Sequence, residues 1–180
     1  MTGPGNLDWH AVDAASVAPV VAEALTSWPA AGDVRVAPID PDLADTAGFC
    51  ERYGVLLEDS ANCVVIAGRR GDTVSYAACV VLATTRADVN GFVRRRLDAR
   101  KASFAPMADA VELTAMEFGG ITPIGLPSSW PVLVDAAVLE RDVVVIGSGL
   151  RRSKLALPSS ALRDLPSADV IDGLALQTAS

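Results

Sequence analysis

The chain has 180 residues, of which 51% are hydrophobic but only 5% aromatic, and its formal net charge is −7. This length fits one domain with a core of Val, Leu, Ile and Ala that needs no metal or disulfide for support. The negative charge argues against a protein that coats a nucleic-acid backbone, and no apolar run approaches the ~20 residues of a membrane span.

Residues 1–10 are predicted to form a flexible tail, because Gly3, Pro4 and Gly5 favour a loose chain. The tail lacks the basic start and apolar run of a signal peptide, so a cytoplasmic location is expected. A single domain is expected to occupy residues 11–180.

Two helices and a strand are predicted in the first third of the domain. Apolar residues recur at helical spacing over 12–28, and Val34 and Val36 alternate as in a short strand. Asp40 is a suitable N-cap for a second helix over 41–54, which would end at Gly54.

A β-hairpin signal follows. Residues 62–66 are apolar and β-branched, the Arg-Gly-Asp sequence at 70–72 supplies a turn, and residues 73–82 form the returning strand. A helix is predicted over 88–97, where the arginines of its C-terminal half suit the helix dipole.

The remaining segments predict short strands mixed with helices. The strands fall at 103–105, 132–134, 143–146, 155–157 and 170–171, and the helices at 107–116 and 159–165. Because hairpins exclude an all-parallel sheet, the predicted fold is a single α/β domain with a mixed, mostly antiparallel sheet. The sheet is expected to be curled and barrel-like, with helices around it.

Few side chains could act as a nucleophile or a metal ligand. The only histidine, His10, lies in the predicted tail, so no Ser-His-Asp or Cys-His arrangement is expected. Cys50, Cys63 and Cys79 are widely spaced, and the last two lie in apolar runs, which predicts reduced core thiols. Neither a metal nor an organic cofactor is expected.

The segment 117–127, which reads EFGGITPIGLP, is the strongest candidate for a functional loop. Its paired glycines, Gly119 and Gly120, let the backbone approach a ligand, and its prolines stiffen the loop. Consecutive amides of this kind can hold an anionic oxygen. A tight turn between a helix and a strand would use the same residues, so both interpretations are open at this point.

Four segments together resemble the YbaK family, which includes the editing domain inserted in bacterial prolyl-tRNA synthetases. The run Gly-Gly-Ile-Thr-Pro-Ile-Gly at 119–125 resembles the family signature Gly-Gly-Val-Ser-Pro-Phe-Gly. Family motifs also match, in order, Ser103-Phe104-Ala105, Val132-Leu133-Val134-Asp135 and Ile146-Gly147-Ser148-Gly149-Leu150-Arg151. The likeness covers residues 33–172, and the ordered set is far more specific than any single motif.

The resemblance implies a free-standing aminoacyl-tRNA deacylase, which hydrolyses the ester between a wrong amino acid and tRNA and so protects translation fidelity. Such hydrolysis requires no protein nucleophile. The resemblance implies that the amides of Gly119, Gly120 and Ile121 hold the carbonyl or oxyanion oxygen, and that Thr122 offers a hydroxyl.

Further substrate contacts are implied for Pro123, Asp135, Ser148, Gly149 and Arg151. The carboxylate of Asp135 is a candidate for binding the α-amino group or orienting water, although a strand-end cap is equally compatible with its position. The guanidinium of Arg151 would reach the RNA backbone as a planar donor.

One position departs from the family pattern. Family members commonly carry a lysine at the start of the first hairpin strand, where it contributes to deacylation, and Asn62 occupies that position here. The chain has two lysines, Lys101 and Lys154, and neither falls there. Asn62 offers hydrogen bonds without positive charge, so it is included among the candidate catalytic residues with an altered role.

Two functions therefore stand side by side: a deacylase acting in trans, and a non-catalytic module that binds aminoacyl-tRNA or a synthetase after losing the family lysine. Hydrolysis of another activated acyl ester is a third possibility. The basic run at 94–101, and Arg95, Arg96 and Lys101 in particular, could contact the acceptor end of tRNA or form a solvated helix end. Neither a membrane nor DNA is expected as a partner.

Overall fold

The structure is a computed structural model that describes residues 3–178, so the first two residues of the predicted tail and the last two of the chain lie outside the described residues. Its strands are β1 (His10–Ala11), β2 (Arg35–Pro38), β3 (Ala61–Arg70), β4 (Thr73–Leu82), β5 (Thr85–Ala87), β6 (Lys101–Phe104), β7 (Val132–Asp135), β8 (Val143–Gly147), β9 (Ser153–Pro158), β10 (Ala168–Ile171) and β11 (Ala175–Gln177).

These strands form three sheets rather than one. The first sheet has the order β1-β2-β9-β8, the second β10-β7-β4-β3-β6, and the third pairs β11 with β5. β7 is parallel to both β4 and β10, and every other named pair is antiparallel. The prediction of a mixed, mostly antiparallel α/β domain is confirmed.

The barrel-like detail of that prediction is wrong, because no sheet within residues 3–178 closes on itself. A single parallel bridge between Ser60 and Val145 links the first sheet to the second. The two sheets instead bury facing side chains in a common core, to which Val36 and Leu155 contribute from the first sheet and Val80 and Val134 from the second.

The helices are α1 (Pro19–Ser27), α2 (Thr46–Tyr53), α3 (Arg94–Arg96) and α4 (Met107–Thr114). A π-helical turn, Val89–Val93, leads into α3, and Asp88 caps it with its side chain. The predicted helix over 12–28 is shorter than expected because Pro19 occupies the first helical position, where its fixed φ suits a helix start. None of the helices in the described residues is both long and apolar enough to cross a bilayer.

The helix predicted over 41–54 is divided in two. The Asp40 side chain caps a 3₁₀ turn, Pro41–Leu43, and the Asp45 side chain accepts from the Gly48 amide at 3.0 Å to begin α2. Gly54 ends α2 in the left-handed conformation, as predicted. The second cap brings the N-terminus of α2 close to the start of β3.

The N-terminal residues contact the rest of the domain. The backbone N–H of Asn6 donates to the Tyr53 carbonyl at 2.7 Å. Leu7 and Trp9 pack against the core cluster that contains Phe49. Residues 6–9, which the sequence assigned to a flexible tail, are therefore packed against α2.

The hairpin is confirmed and is longer than predicted. β3 and β4 pair over ten residues each, from Ala61 opposite Leu82 to Arg70 opposite Thr73. β3 also pairs with β6 on its other side. The helix predicted over 159–165 is a 3₁₀ segment, Ser159–Asp164.

Candidate active site

A cavity of about 410 Å³ opens where the start of β3 meets the N-terminus of α2 and the loop at 118–121. We call it the β3 cavity. Its polar lining side chains are Asp45, Thr46, Asn62 and Lys154, and its largest apolar ones are Val64, Val65, Phe104, Met107, Phe118 and Ile121. A concave, mostly apolar site with a few converging polar groups is the usual form of a small-molecule site.

Asn62 lines the β3 cavity and is oriented by α2. The Thr46 hydroxyl donates to the Asn62 side-chain oxygen at 2.6 Å. The Asn62 amide nitrogen has no acceptor among the described residues, so its two N–H groups are available to a ligand.

Lys154 lines the same cavity from β9 and was not anticipated there. Its side chain is buried, with 8% of the residue exposed, and Nζ donates to the Ala44 carbonyl at 3.0 Å. The pKa of Lys154 is lowered to about 8, chiefly by burial and to a small extent by neighbouring Arg151, and Cys50 and Asp45 partly oppose this shift. The available sequence signal was weak, a lysine directly before the apolar run 155–157.

The backbone of the glycine loop offers fewer free amides than predicted. The Gly120 amide donates to the Glu117 carbonyl at 2.9 Å and is not free to bind an oxyanion. Gly119 and Ile121 line the β3 cavity, and their amides have no acceptor among the described residues. The candidate oxyanion donors in the loop are therefore two amides rather than three.

Gly120 is required by packing between two loops. The Gly149 amide donates to the Gly120 carbonyl at 2.7 Å, and the Glu117 amide donates to the Gly149 carbonyl at 2.9 Å. A Cβ on Gly120 would lie 2.5 Å from the Leu150 carbonyl oxygen, and one on Gly147 would lie 2.5 Å from the Gly120 carbonyl oxygen. The loops at 117–121 and 147–151 can therefore approach this closely only with glycine at these positions.

Several of the predicted contact residues do not line the β3 cavity, and Thr122, Ser148 and Pro123 are the first of them. Thr122 is fully buried, its hydroxyl has no partner among the described residues, and it does not line the β3 cavity. The buried Ser148 hydroxyl lies 2.7 Å from that of Ser153 and organises the turn between β8 and β9. Pro123 lines a separate cavity of about 300 Å³ beside Trp28.

Asp135 has structural contacts that occupy both carboxylate oxygens. One accepts from the Ala137 amide at 2.9 Å and the other from the Ala175 amide at 2.6 Å. The residue is 5% exposed and lies outside the β3 cavity. These are the contacts of a strand-end cap, the second role that the sequence allowed for Asp135.

Arg151 connects the glycine loop to the segment that precedes α2. Its guanidinium donates to the Phe118 carbonyl at 3.2 Å and to the Pro41 carbonyl at 2.8 Å. Gly149, on the same turn, has a φ of +84° and packs against Ala18. Neither residue lines the cavity.

The basic run is split between two places. Lys101 lines a shallow depression together with Arg69, Arg94 and Arg100, which we call the basic depression. Arg95 does not line it, and Arg96 lies 3.8 Å from the Asp169 carboxylate. β6 runs from Lys101 in the basic depression to Phe104 at the β3 cavity, a distance of about 10 Å at 3.3 Å per residue.

Comparison with known proteins agrees with this fold. Residues 40–165 match the family model of the aminoacyl-tRNA editing domain. The chain therefore belongs to this family, the YbaK-type editing domains, and the resemblance seen in the sequence is confirmed. No curated protein matches the chain significantly.

Solved structures share the fold at low sequence identity. A candidate trans-editing enzyme for prolyl-tRNA synthetase is 22% identical, with a TM-score of 0.72 over 86% of this chain and 94% of its own. Hypothetical protein APE2540 is 20% identical, with a TM-score of 0.74 over 87% of this chain and 99% of its own. A candidate signal transduction protein from Marinobacter aquaeolei VT8 matches 88% of this chain with 31% of its own, at 19% identity and a TM-score of 0.55.

Proposed function

We propose that the chain hydrolyses, in trans, the ester bond between an amino acid and the terminal ribose of tRNA. The observation that carries this proposal is the β3 cavity of an aminoacyl-tRNA editing domain, which is lined by residues with free N–H donors. These donors are the amides of Gly119 and Ile121 and the side-chain amide of Asn62.

The chemistry needs no protein nucleophile. Water adds to the ester carbonyl carbon, forming a C–O bond while the π electron pair moves onto the carbonyl oxygen. The tetrahedral oxyanion then collapses, the bond to the ribose oxygen breaks, and that oxygen takes the proton lost by the water. N–H groups that point at the oxyanion favour this path because they stabilise charge that exists only near the transition state.

Two aromatic side chains could hold the terminal base. Phe104 and Phe118 line the β3 cavity, and both are unusually exposed for phenylalanine, at 62% and 48%. Unstacked bases at RNA ends are commonly bound by stacking on such rings. The terminal adenine would thus lie at the cavity mouth, and the aminoacyl group would enter the cavity.

The basic depression could hold phosphates upstream of that adenosine. Replacing both Arg94 and Lys101 with glutamine is expected to weaken tRNA binding about tenfold at low salt and to flatten its salt dependence, because fewer counterions are released on binding. Binding of uncharged tRNA across a salt series measures both quantities. Arg163→Gln, which removes an exposed cation elsewhere, is the control, and an equal loss in that variant would contradict the prediction.

The alternative function is a non-catalytic module that binds aminoacyl-tRNA or a synthetase. Uncharged Asn62 at the position of the family lysine favours this alternative. The ammonium of Lys154 in the same cavity weighs against it, since the cavity keeps a positive charge. Tight binding of aminoacyl-tRNA without turnover would support the alternative.

The test is a deacylation time course on mischarged tRNAs that carry small amino acids, Cys or Thr. Wild type is expected to hydrolyse at least one of them. Ala105→Leu, which fills part of the β3 cavity, is expected to lower kcat/KM by about a hundredfold, because a displacement of about 1 Å at a reacting centre costs this much. Ala108→Leu, at an exposed position on α4, is the matched control.

Equal activity of the two leucine variants would contradict the placement of the site. Absence of turnover by wild type on every tRNA, together with tight binding, would replace the deacylase with the binding module.

A further inference from the structure

Lys154 is a buried cation without an anionic partner. No carboxylate lies within 4.0 Å of its ammonium in the described part of the chain, and its only hydrogen bond is the one to the Ala44 carbonyl. A buried charge with so little compensation destabilises the folded state. Such groups in a cleft are frequent at functional sites, where chemistry rather than stability accounts for them.

The contacts of Lys154 within the protein use only part of its hydrogen-bonding capacity. An ammonium has three N–H donors, and Ala44 accepts from one of them at 3.0 Å. The ring of Phe49 lies 5.2 Å from Nζ and partly compensates the charge through a cation–π contact. Two donors are left for a ligand in the β3 cavity, which Lys154 lines.

Lys154 shares the cavity with the other free donors. Asn62 lines it from β3, and Gly119 and Ile121 line it from the glycine loop. Lys154 is, by contrast, the only one of the cavity-lining side chains to carry a positive charge. An oxygen that becomes negative inside this cavity would therefore find its strongest electrostatic partner in Lys154.

We propose that the Lys154 ammonium binds the carbonyl oxygen of the bound ester and stabilises the oxyanion that forms when water adds. This assignment rests on the proposed deacylase function. It places the essential cation of the site on β9, with Asn62 as a neutral donor across the cavity. Proton and electron balance are those of the hydrolysis above, and Lys154 gains and loses no proton in the cycle.

The first test compares kcat and KM of wild type with those of Lys154→Met on the best mischarged tRNA. The variant is expected to lose at least a hundredfold in kcat with little change in KM, because the lost contact forms mainly in the transition state. Arg163→Met, which removes an exposed cation elsewhere, is expected to behave as wild type. A rise in KM at constant kcat would overturn the proposal, since it would mean that Lys154 only holds a phosphate or the ground state.

The second test uses pH and chemical rescue. After subtraction of spontaneous hydrolysis, kcat/KM of wild type is expected to fall as pH rises above about 8, the pKa to which burial lowers Lys154. The charged or titratable groups that face Lys154 are Cys50 and Asp45 from α2 and its cap, and Arg151 from the turn before β9.

The same fall with pH in Lys154→Met would assign the titration to another group and overturn the proposal.

Lys154→Ala is expected to regain activity when ethylammonium or propylammonium is added, because these cations fit the space of the missing side chain. Failure of every alkylammonium, in a variant that is folded by circular dichroism, would also count against it.

Binding separates failure of this proposal from failure of the proposed function. The probe is an adenosine whose 3′ position carries a phosphonate, an anionic tetrahedral mimic of the oxyanion, in place of the aminoacyl ester. Wild type is expected to bind it at least tenfold more tightly than Lys154→Met, since a charged donor to the anionic oxygen is lost. If wild type deacylates no tRNA, the deacylase function fails, and equal binding of the probe by both proteins would then also reject the Lys154 contact.

Discussion

Gly120→Ala is expected to destabilise the domain by about 2–3 kcal/mol, the upper part of the range for overpacking a well-packed site. The added Cβ would lie 2.5 Å from the Leu150 carbonyl oxygen, 2.6 Å from its carbonyl carbon and 2.9 Å from its nitrogen. All three are backbone atoms, so relief requires the two loops to separate. Separation would also break the hydrogen bond from the Gly149 amide to the Gly120 carbonyl.

Urea unfolding of wild type and variant measures this effect. Gly32→Ala is the matched control, because a Cβ on Gly32 meets no atom within 4 Å and the residue has an ordinary negative φ. The control is expected to change stability by less than about 1 kcal/mol, in the stabilising direction. If Gly120→Ala had the same free energy of unfolding as wild type, the two loops would not be in contact in solution.

Because of this loss of stability, the activity of Gly120→Ala cannot show whether the Gly120 amide binds the oxyanion. A loss of deacylation in Gly120→Ala would follow from the displaced loop whether or not an amide binds the oxyanion. The Gly120 amide already donates to the Glu117 carbonyl, so among the three predicted amides it is the least suited to bind the oxyanion. The cavity-filling Ala105→Leu variant is a cleaner probe of the site, because Ala105 lines the cavity without holding the two loops together.

The sequence predicted local structure well where strands and turn chemistry coincide. The hairpin of β3 and β4 follows from β-branched runs on both sides of Gly71, whose φ of +59° the turn requires. Gly119 and Ile121, which belong to the family signature found in the sequence, line the β3 cavity. The end of α2 at Gly54 was predicted for the same local reason, a left-handed C-cap.

Long-range contacts account for what the sequence could not predict. Asp135 is locally as good a cap as a substrate contact, and the choice depends on the Ala175 amide, which lies 40 residues away in the chain. Lys154 faces the cavity because β9 pairs beside β8 and because residue 44 lies close to it across the fold. Periodicity along one strand does not carry that information.

Lys154→Met is expected to make the domain more stable at pH 7, in contrast to its effect on activity. Wild-type Lys154 has a pKa of about 8 when folded, against an ordinary value of 10.5, so the unfolded chain binds the extra proton between these two pH values. The free energy of unfolding of wild type therefore rises with pH between about 8 and 10.5, as the buried ammonium loses its charge. Below about pH 8 the full cost of burying that charge is present. At 1.36 kcal/mol per unit, that cost is about 3 kcal/mol.

The measurement is the free energy of unfolding of both proteins at pH 7 and at pH 9.5. The advantage of Lys154→Met is expected to be about 3 kcal/mol at pH 7 and to shrink by roughly half at pH 9.5, where the folded wild type has already lost the proton. Lys101→Met is the matched control, because Lys101 is exposed and should show no advantage that varies with pH. A stability advantage for the methionine variant, combined with its loss of activity, would mean that the protein keeps a destabilising lysine for function. Equal stability at both pH values would show instead that the Ala44 and Phe49 contacts fully compensate the charge, which would remove the energetic reason to regard Lys154 as functional.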